Sequence, residues 1–594
     1  VVSVVTVLLF RGVLTAGFVS FDDQLHVYEN VLVLSRDTSV LRVFWTEPQY
    51  NLYIPVSYTA WWVLAKAARV EEVHDPGGRL DPAVFHAASL LVHVANAALV
   101  LLLLGGLGFG PGRSVVGSLV FALHPFQVET VAWISELKGV LAGLFGLLAI
   151  LLYVRLWRAG RKRAIALYAG ATVSFALALC SKPSAMTVPL VCGSLAVLIG
   201  RRGVVRTGLE MAPWLVLSAG IALVTAGQQD PAAVGDVPAV WQRVLVAGDA
   251  LTWYLWKLAA PVGLSLDYGR TPARVLAHGW VWGTAAVSLV GLPLACWRCR
   301  SRWFRAGVCV WVAVLLPVLG LQPFLFQQYS TVADRYVYLA MLGPALAAAR
   351  LFAVRRRGWR LWVAALVPAV LGMLTYFQLG HWQSSLAVAE RELETNPDSL
   401  YGNNVVGHAA LKRGEAGRAL PHLLRALRGG LPARAAARTL RALRARGTGR
   451  AAEAYRAAAL RGAPDTAAGR LWVGQFLGGT GEYAEAERAF RGALSAEGSG
   501  ALGGAERATA EYGLGVALAH QGRTREALGH LLRASLTRPG VPDYHASLGA
   551  VLEAEGQPHR AAVQYREAVR LAHKHTEAER RLRGLGSVGS DRNE

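Results

Sequence analysis

The sequence predicts an all-α protein in two parts. A polytopic helical membrane domain covers residues 1–381, and an α-solenoid of helical repeats covers residues 382–594. Three observations carry this reading. Of 594 residues, 54% are hydrophobic and only 17% charged, against roughly 25% charged in soluble domains. Every apolar run near the ~18–20 residues needed to cross a bilayer lies before residue 381. Beyond residue 400 the chain is self-similar at a 34-residue period. A disordered chain and a wholly soluble one are therefore excluded. Five Cys in 594 residues do not make a disulfide framework.

The apolar half reads as about eleven spans. They lie roughly at 1–19, 84–104, 115–134, 139–154, 164–180, 185–200, 211–227, 279–297, 306–323, 336–352 and 361–379. The first lacks a basic n-region and a small-residue cleavage site, so it reads as a span rather than a signal peptide. Whether the natural chain starts there is left open. With the N-terminus in the cytoplasm, the cytoplasmic loops carry clusters such as Arg155, Arg158, Arg161, Lys162 and Arg163, then Arg298, Arg300, Arg302 and Arg305. The opposite short loops hold Lys138, Lys182 and Arg335. This is the positive-inside pattern. It accounts for much of the net charge of +22 without a nucleic-acid partner. An odd number of spans places residues 382–594 outside the cytoplasm. The excess of Arg over Lys, with abundant Ala and Gly, points to a GC-rich bacterial genome. The membrane is then a bacterial inner membrane, with the repeats on its periplasmic side.

Two outer loops are long, residues 20–83 and 228–278. In the second, Trp253, Tyr254 and Trp256 have the polar-tipped rings that suit a headgroup layer. An alternative use is to line a groove for a lipid-linked substrate.

The polar half places Gly515, Gly522, Ala527, Leu531, Ala534 and Pro539 at offsets that recur as Gly549, Gly556, Ala561, Tyr565 and Ala568. Earlier copies hold Gly474, Gly481, Ala486, Phe490 and Ala493, and Gly407, Gly414, Ala419, Leu423 and Ala426. A degenerate copy runs from Gly447 to Ala458. About five repeats start near 400, 433, 467, 508 and 542, with some seven residues inserted near Ser499–Glu506. Small residues at fixed offsets let paired helices approach, and the large residue between them fills the gap. The pattern resembles the tetratricopeptide repeat (TPR). That resemblance implies stacked helix pairs and a surface that holds a polypeptide, unless the array is only a spacer. Arg434, Arg438 and Arg441 recur at helical spacing with no acid between them. They read as a solvated face or a contact for anionic headgroups.

Chemistry gathers at the outer membrane face. Asp22 and Asp23 follow the first span directly, and carboxylates at a membrane edge are costly unless used. Glu129, Glu136 and Lys138 lie in the segment His124–Gly139, with His124 opening it. Lys182 and Arg335 stand before spans six and ten. Each alone reads equally well as a satisfied ion pair or, for His124, a packed helix residue. Cys296 and Cys299 have metal-ligand spacing, but no second pair answers them.

These segments resemble the membrane-embedded GT-C glycosyltransferases, most closely the protein O-mannosyltransferase-like group joined to tetratricopeptide repeats. The motifs that carry the likeness are Phe21-Asp22-Asp23, Tyr53-Ile54-Pro55-Val56-Ser57, Phe85-His86 with His93, His124-Pro125 through Lys138, Ser181-Lys182-Pro183, Leu264-Ser265-Leu266-Asp267-Tyr268 and Asp334-Arg335-Tyr336-Val337-Tyr338-Leu339. The resemblance implies an inverting hexosyltransferase. It would move mannose or another hexose from a polyprenyl- or dolichyl-phosphate to a protein Ser or Thr on the non-cytoplasmic face. The repeats would bind the acceptor. It implies Asp22, or its neighbour Asp23, as catalytic base. Arg335, Lys138 and Lys182 would meet the donor phosphate, and Glu129, Glu136 and His124 would meet the sugar or orient the base. No cofactor is implied, and a divalent metal is left open. The expected partners are the lipid-linked donor, a protein or peptide acceptor and membrane lipids, with no nucleic acid. Two alternatives stand beside this reading. One is a non-catalytic, membrane-anchored repeat scaffold. The other is a glycosyltransferase acting on an envelope glycan or lipid.

The loop charges make one expectation concrete. A reporter fused after Leu379 that is active only when exported should be active, and one that is active only in the cytoplasm should be silent.

Overall fold

The computed structural model describes residues 1–72, 75–228, 237–352, 359–496, 501–571 and 576–590. The chain forms two compact units, Val1–Pro397 and Asp398–Glu594. The boundary falls after the helix Ser385–Thr395, which belongs to the first unit.

The first unit is helical, and its described residues include an antiparallel hairpin (Arg69–Glu72 with Asp75–Leu80) ahead of the helix Pro82–Gly106. Its longest helix, Pro82–Gly106, shows why the spans form. Asp81 caps it by accepting from the Ala83 N–H at 2.9 Å, and Pro82 supplies a preset first turn. Its 25 residues extend about 37 Å, enough for a hydrocarbon core of about 30 Å. Among the described residues, five helices are long and apolar enough to cross a membrane: Pro82–Gly106, Ile134–Leu156, Arg161–Ser181, Val204–Gly227 and Val281–Arg298. A sixth crossing arises if Ala364–Gly380 and Ser385–Thr395, bent by 112°, count as one. Four apolar helices are shorter: Val2–Thr15, Pro111–Leu123, Pro183–Leu198 and Leu339–Leu351.

About eleven full spans are thus more than the helix lengths establish. Several segments that read as one apolar run are broken in the backbone. The first run is an α-helix only over Val2–Phe10, tightens to a 3₁₀ turn over Arg11–Thr15, and is extended at Ala16. The third run ends its helix at Leu123, because Pro125 drives His124 out of the helical region (φ −72°, ψ 135°). It restarts over Gln127–Ala132 and breaks again at Trp133 (φ −92°, ψ 117°). Helices elsewhere close on small residues. A Cβ added at Gly143 would sit 2.6 Å from the Tyr338 ring, so only glycine admits that tyrosine. Between the helices Val204–Gly227 and Val281–Arg298, Trp256 is exposed on the helix Val240–Ala259. Tyr254 on the same helix is instead buried, with its hydroxyl accepting from the Ala333 N–H at 3.0 Å.

The second unit is a run of antiparallel helix pairs of tetratricopeptide type. Pairs begin at Leu400, Ala433, Ala467, Gly504 and Pro542, and the helix Thr576–Ser590 follows them. The second helices bury their small residues, Ala419 and Ala426, Ala486 and Ala493, Ala527 and Ala534, Ala561 and Ala568. Between each two lies the large residue, Leu423, Phe490, Leu531 or Tyr565. In the degenerate copy the corresponding position is Arg456, and the adjacent Tyr455 fills the core in its place. Arg456 turns outward to Glu482 and Glu485 at 2.6 and 2.7 Å. Of the insertion expected near Ser499–Glu506, Ser499 and Gly500 lie outside the described residues, and the next helix starts at Gly504.

A Cβ at Gly515 would meet Leu531 at 2.7 Å and the Ala527 carbonyl at 3.2 Å. Gly515→Ala and Ala527→Trp should therefore each destabilise a 398–594 fragment by about 1–3 kcal/mol through overpacking. Gly584→Ala, with nothing within 4 Å of its Cβ and a place inside the helix Thr576–Ser590, should instead stabilise by up to about 1 kcal/mol. Urea unfolding followed by circular dichroism reads all three.

Candidate active site

The broken third run builds the site. The short helix Gln127–Ala132 presents Glu129, the extended Trp133 follows, and a 3₁₀ turn (Ile134–Glu136) leads into the long helix Leu137–Leu156. Glu129 accepts from Arg335 at 2.6 Å, with only 1% and 8% of the two side chains exposed. Arg335 comes from another 3₁₀ turn, Asp334–Tyr336. Glu136 accepts from Lys182 at 2.7 Å and lies 3.5 Å from Lys138. Lys182 leaves the end of helix Arg161–Ser181 in an extended conformation that the following Pro183 enforces. Burial holds its ammonium below the usual lysine range, against the pull of Glu136. Three cations thus face two acids. Rings enclose the Arg335 guanidinium, with Phe326 at 4.1 Å, Tyr336 at 5.0 Å and Trp133 at 5.5 Å.

The two adjacent aspartates do different things. Asp23 is fully buried and accepts three hydrogen bonds, from Val19 N–H (2.8 Å), Ser135 N–H (2.8 Å) and Ser135 Oγ (2.6 Å). It ties the turn after the first helix to the residue before Glu136. Burial pushes its carboxyl up to about 7, the three donors opposing and the charge of Asp22 adding. Asp22 is half-buried, and its carboxylate makes no hydrogen bond or ion pair with a described residue. It lies in electrostatic range of Tyr58 and Tyr329. Its neighbour Phe21 packs edge-on against Trp133 at 5.8 Å. The turn therefore meets the charged cluster through both a ring contact and a hydrogen-bonded carboxylate.

The other motif segments converge on the same region. Ser57 Oγ donates to the Ser181 carbonyl (2.9 Å), and Trp61 Nε1 donates to the Ile134 carbonyl (3.3 Å). Tyr268 Oη donates to Asp334 at 2.8 Å, whose carboxyl burial keeps well above the usual range. His93 Nδ1 pairs with the Tyr338 hydroxyl at 2.8 Å. His124 stands apart in kind. Its Nδ1 accepts from the Phe126 N–H at 3.2 Å, and its Nε2 meets the Leu258 carbonyl at 3.2 Å. Both ring nitrogens are taken by backbone, so it serves the helix break.

His26 was not singled out from sequence. Its Nδ1 lies 2.8 Å from the Tyr58 hydroxyl, and it stacks on Trp61. Burial first, and Lys138 second, lower it to about 3, so it is neutral at ordinary pH. The available signal was its spacing, four residues after Asp22 and three after Asp23. Trp133 and Phe326 carry the cations and gave no signal beyond being aromatic. Among the described residues no group of three or more His, Cys, Asp or Glu gathers as a metal site.

A narrow cleft of about 40 Å³ reaches the cluster. Lys182, Arg335 and Tyr336 line its polar part, and Val314, Val318 and Leu339 its apolar part. Cationic and apolar surfaces thus stand side by side in a space too small for a sugar ring.

No family model matches the chain, and no curated protein matches it. Solved structures similar to it include YrrB, a TPR protein with an unusual peptide-binding site (18% identity, 32% of this chain and 96% of that one, TM-score 0.22). Pseudomonas aeruginosa pilF is similar at 18% identity over 33% of this chain and 86% of its own, with a TM-score of 0.24. MamA is similar at 15% identity over 32% of this chain and 87% of its own, with a TM-score of 0.18. The repeat assignment rests on the helix pairing described above.

The Asp23 tether has a pH signature. Its folded pKa lies above the unfolded value, so the folded state holds the extra proton between about pH 4 and 7. The stability it contributes is full below about pH 4 and is lost as pH rises through about 7. Thermal unfolding of the detergent-solubilised chain should show this fall, and Asp23→Asn should flatten it. Asp23→Ala should lower stability at every pH, because two buried N–H donors lose their acceptor at about 1–3 kcal/mol each.

Proposed function

We propose that the chain is a membrane protein whose repeat array binds protein partners and whose membrane unit is a lipid-phosphate-sugar-dependent glycosyltransferase. One observation carries the catalytic part. Asp22, a half-buried carboxylate with no hydrogen bond or ion pair to a described residue, lies between Phe21 and Asp23, which tie its turn to Trp133 and Ser135 of the segment whose acids Glu129 and Glu136 hold Arg335, Lys182 and Lys138. A base and a stabilised leaving group are what a single displacement at a sugar carbon needs. The acceptor oxygen bonds to the anomeric carbon as the carbon–oxygen bond to the phosphate breaks. Asp22 takes the acceptor's proton, and the departing lipid phosphate keeps the bonding electrons. Arg335 and Lys182 then meet the charge that grows on the phosphate. The acceptor is a Ser or Thr hydroxyl of a protein brought by the array, and the sugar is a hexose. Eleven crossings, with the array beyond the outer face, would put donor and acceptor on one side.

A second reading has its own support. Every cation of the cluster already has a carboxylate within 3.5 Å, and the cleft is small. A membrane-anchored scaffold that gathers partners through its repeats would look the same.

Sugar transfer from radiolabelled polyprenyl-phosphate sugars to Ser/Thr peptides separates the two. Asp22→Asn should lower turnover by about 10²–10⁴-fold while the donor still binds and thermal stability is unchanged. Arg335→Ala alone would leave Glu129 buried and unpaired, at about 3–5 kcal/mol. The informative variant is therefore Arg335→Ala with Glu129→Gln, which should weaken donor binding as well as turnover. Transfer at the parent rate in both variants would remove Asp22 and Arg335 from the chemistry and require a different catalytic carboxylate. Absence of any transfer by the parent chain, with partner binding intact, would favour the scaffold.

A further inference from the structure

The helix Ala433–Ala445 aligns Arg434, Arg438 and Arg441 along one face. All three are exposed and line a cleft of about 530 Å³ within the repeat array. None makes an ion pair or hydrogen bond with a described residue. The nearby acids are used elsewhere, Glu482 by Arg444 (3.0 Å) and Arg456 (2.6 Å), and Glu485 by Arg456 (2.7 Å). Gln475 on the helix Ala467–Thr480 lines it as well, with Phe490 and Val516 as apolar lining. The far wall is Tyr512, which is fixed by stacking on Tyr544 at 4.7 Å and by a hydroxyl contact with Ser547 at 3.3 Å.

We propose that this cleft binds an extended acidic segment of a protein partner, with carboxylates at alternate positions against the arginines. The inference rests on reading the array as a partner-binding unit and is independent of sugar transfer. The spacing supports it. Four helical residues rise about 6 Å, and two extended residues advance about 6.6 Å. Acidic side chains at i and i+2 thus reach Arg434 and Arg438, while the intervening side chain turns to Tyr512. A bilayer presents its phosphates on a surface flat at this scale, which does not enter a recessed cleft.

The test uses the full chain in detergent and a fluorescein-labelled nonapeptide of alternating Asp and Ala, read by anisotropy. Arg434→Gln/Arg438→Gln should weaken binding about tenfold, as loss of two exposed ion pairs does. Arg446→Gln/Arg450→Gln removes the same charge outside the cleft and should change binding less than about twofold. Equal weakening by both pairs would overturn the proposal. So would a Lys–Ala peptide that binds as well as the Asp–Ala one. Displacement of the peptide by phosphatidylglycerol vesicles, but not by phosphatidylcholine vesicles, would assign the arginines to lipid and overturn it as well. If the first pair does not fold, the parent chain decides. The alternating peptide should bind more tightly than the same composition arranged as one Asp block and one Ala block, and equal binding overturns the register. Failure of every peptide with sugar transfer intact removes this inference and leaves the catalytic reading standing.

Discussion

Charge inside an apolar unit has to be paired, and in Val1–Pro397 that demand is met by breaking a helix. Removing one member of a buried ion pair costs about 3–5 kcal/mol. An unbroken helix running on from 115 through 136 would place Glu129 and Glu136 seven residues apart on one rod. The breaks at His124 and Trp133 instead set them on separate short turns. Glu129 then meets Arg335 and Glu136 meets Lys182, each from a different part of the chain. Much of the site follows from that break. Trp133, extended between the two turns, becomes the plate over which Arg335 and Lys138 lie. Ser135 becomes free to hold Asp23.

The second unit obeys a different constraint. Its helices are short and contain few large side chains, so stability must come from close approach at repeated positions. Alanines flank one large residue in each second helix, and glycines lie where a Cβ would collide. The scheme tolerates local change, as Tyr455 shows by filling the place that Arg456 leaves. Because the packing is carried by these inner positions, the outer helix faces are free to vary. Three arginines on one such face cost the fold little.

What the sequence made legible follows the same physics. Repeat offsets and apolar runs are properties of composition along the chain, and they show in the letters. The tetratricopeptide-type array and the helical membrane-like half were legible for that reason. Span count was not, because hydropathy does not see a Pro-driven break such as that before Pro125 or the 112° bend after Gly380. The gathering of Glu129, Glu136, Lys182 and Arg335 was suggested by the alternation of apolar runs, which puts them at the same ends of successive runs. Their pairing was not, since it depends on which turn each occupies. His26 was missed because a histidine near two aspartates has no period to mark it. The difference between Asp22 and Asp23 was hidden altogether. Adjacent residues on a turn point different ways, and no pattern in the letters tells which one finds Ser135.

That difference bears on the proposed chemistry. A base working beside a second ionised carboxylate would be held in a field that resists its own charge. It would also repel a phosphate that is gaining charge. Asp23 avoids this by being buried, with its carboxyl raised to about 7. Near and below that pH Asp23 tends to neutrality, and its charge is removed from the turn. The three donors that fix Asp23 do not reach Asp22, so in the proposed chemistry positioning and proton transfer would fall to different side chains. In such an arrangement the buried acid sets where the turn lies relative to Glu136 and its lysines. The half-buried acid stays accessible to a hydroxyl from outside. A pair in which both carboxylates were exposed would lose the anchor, and one in which both were buried would lose the base. The Phe21–Asp23 turn satisfies both needs with adjacent residues, because one side chain faces the protein and the other does not.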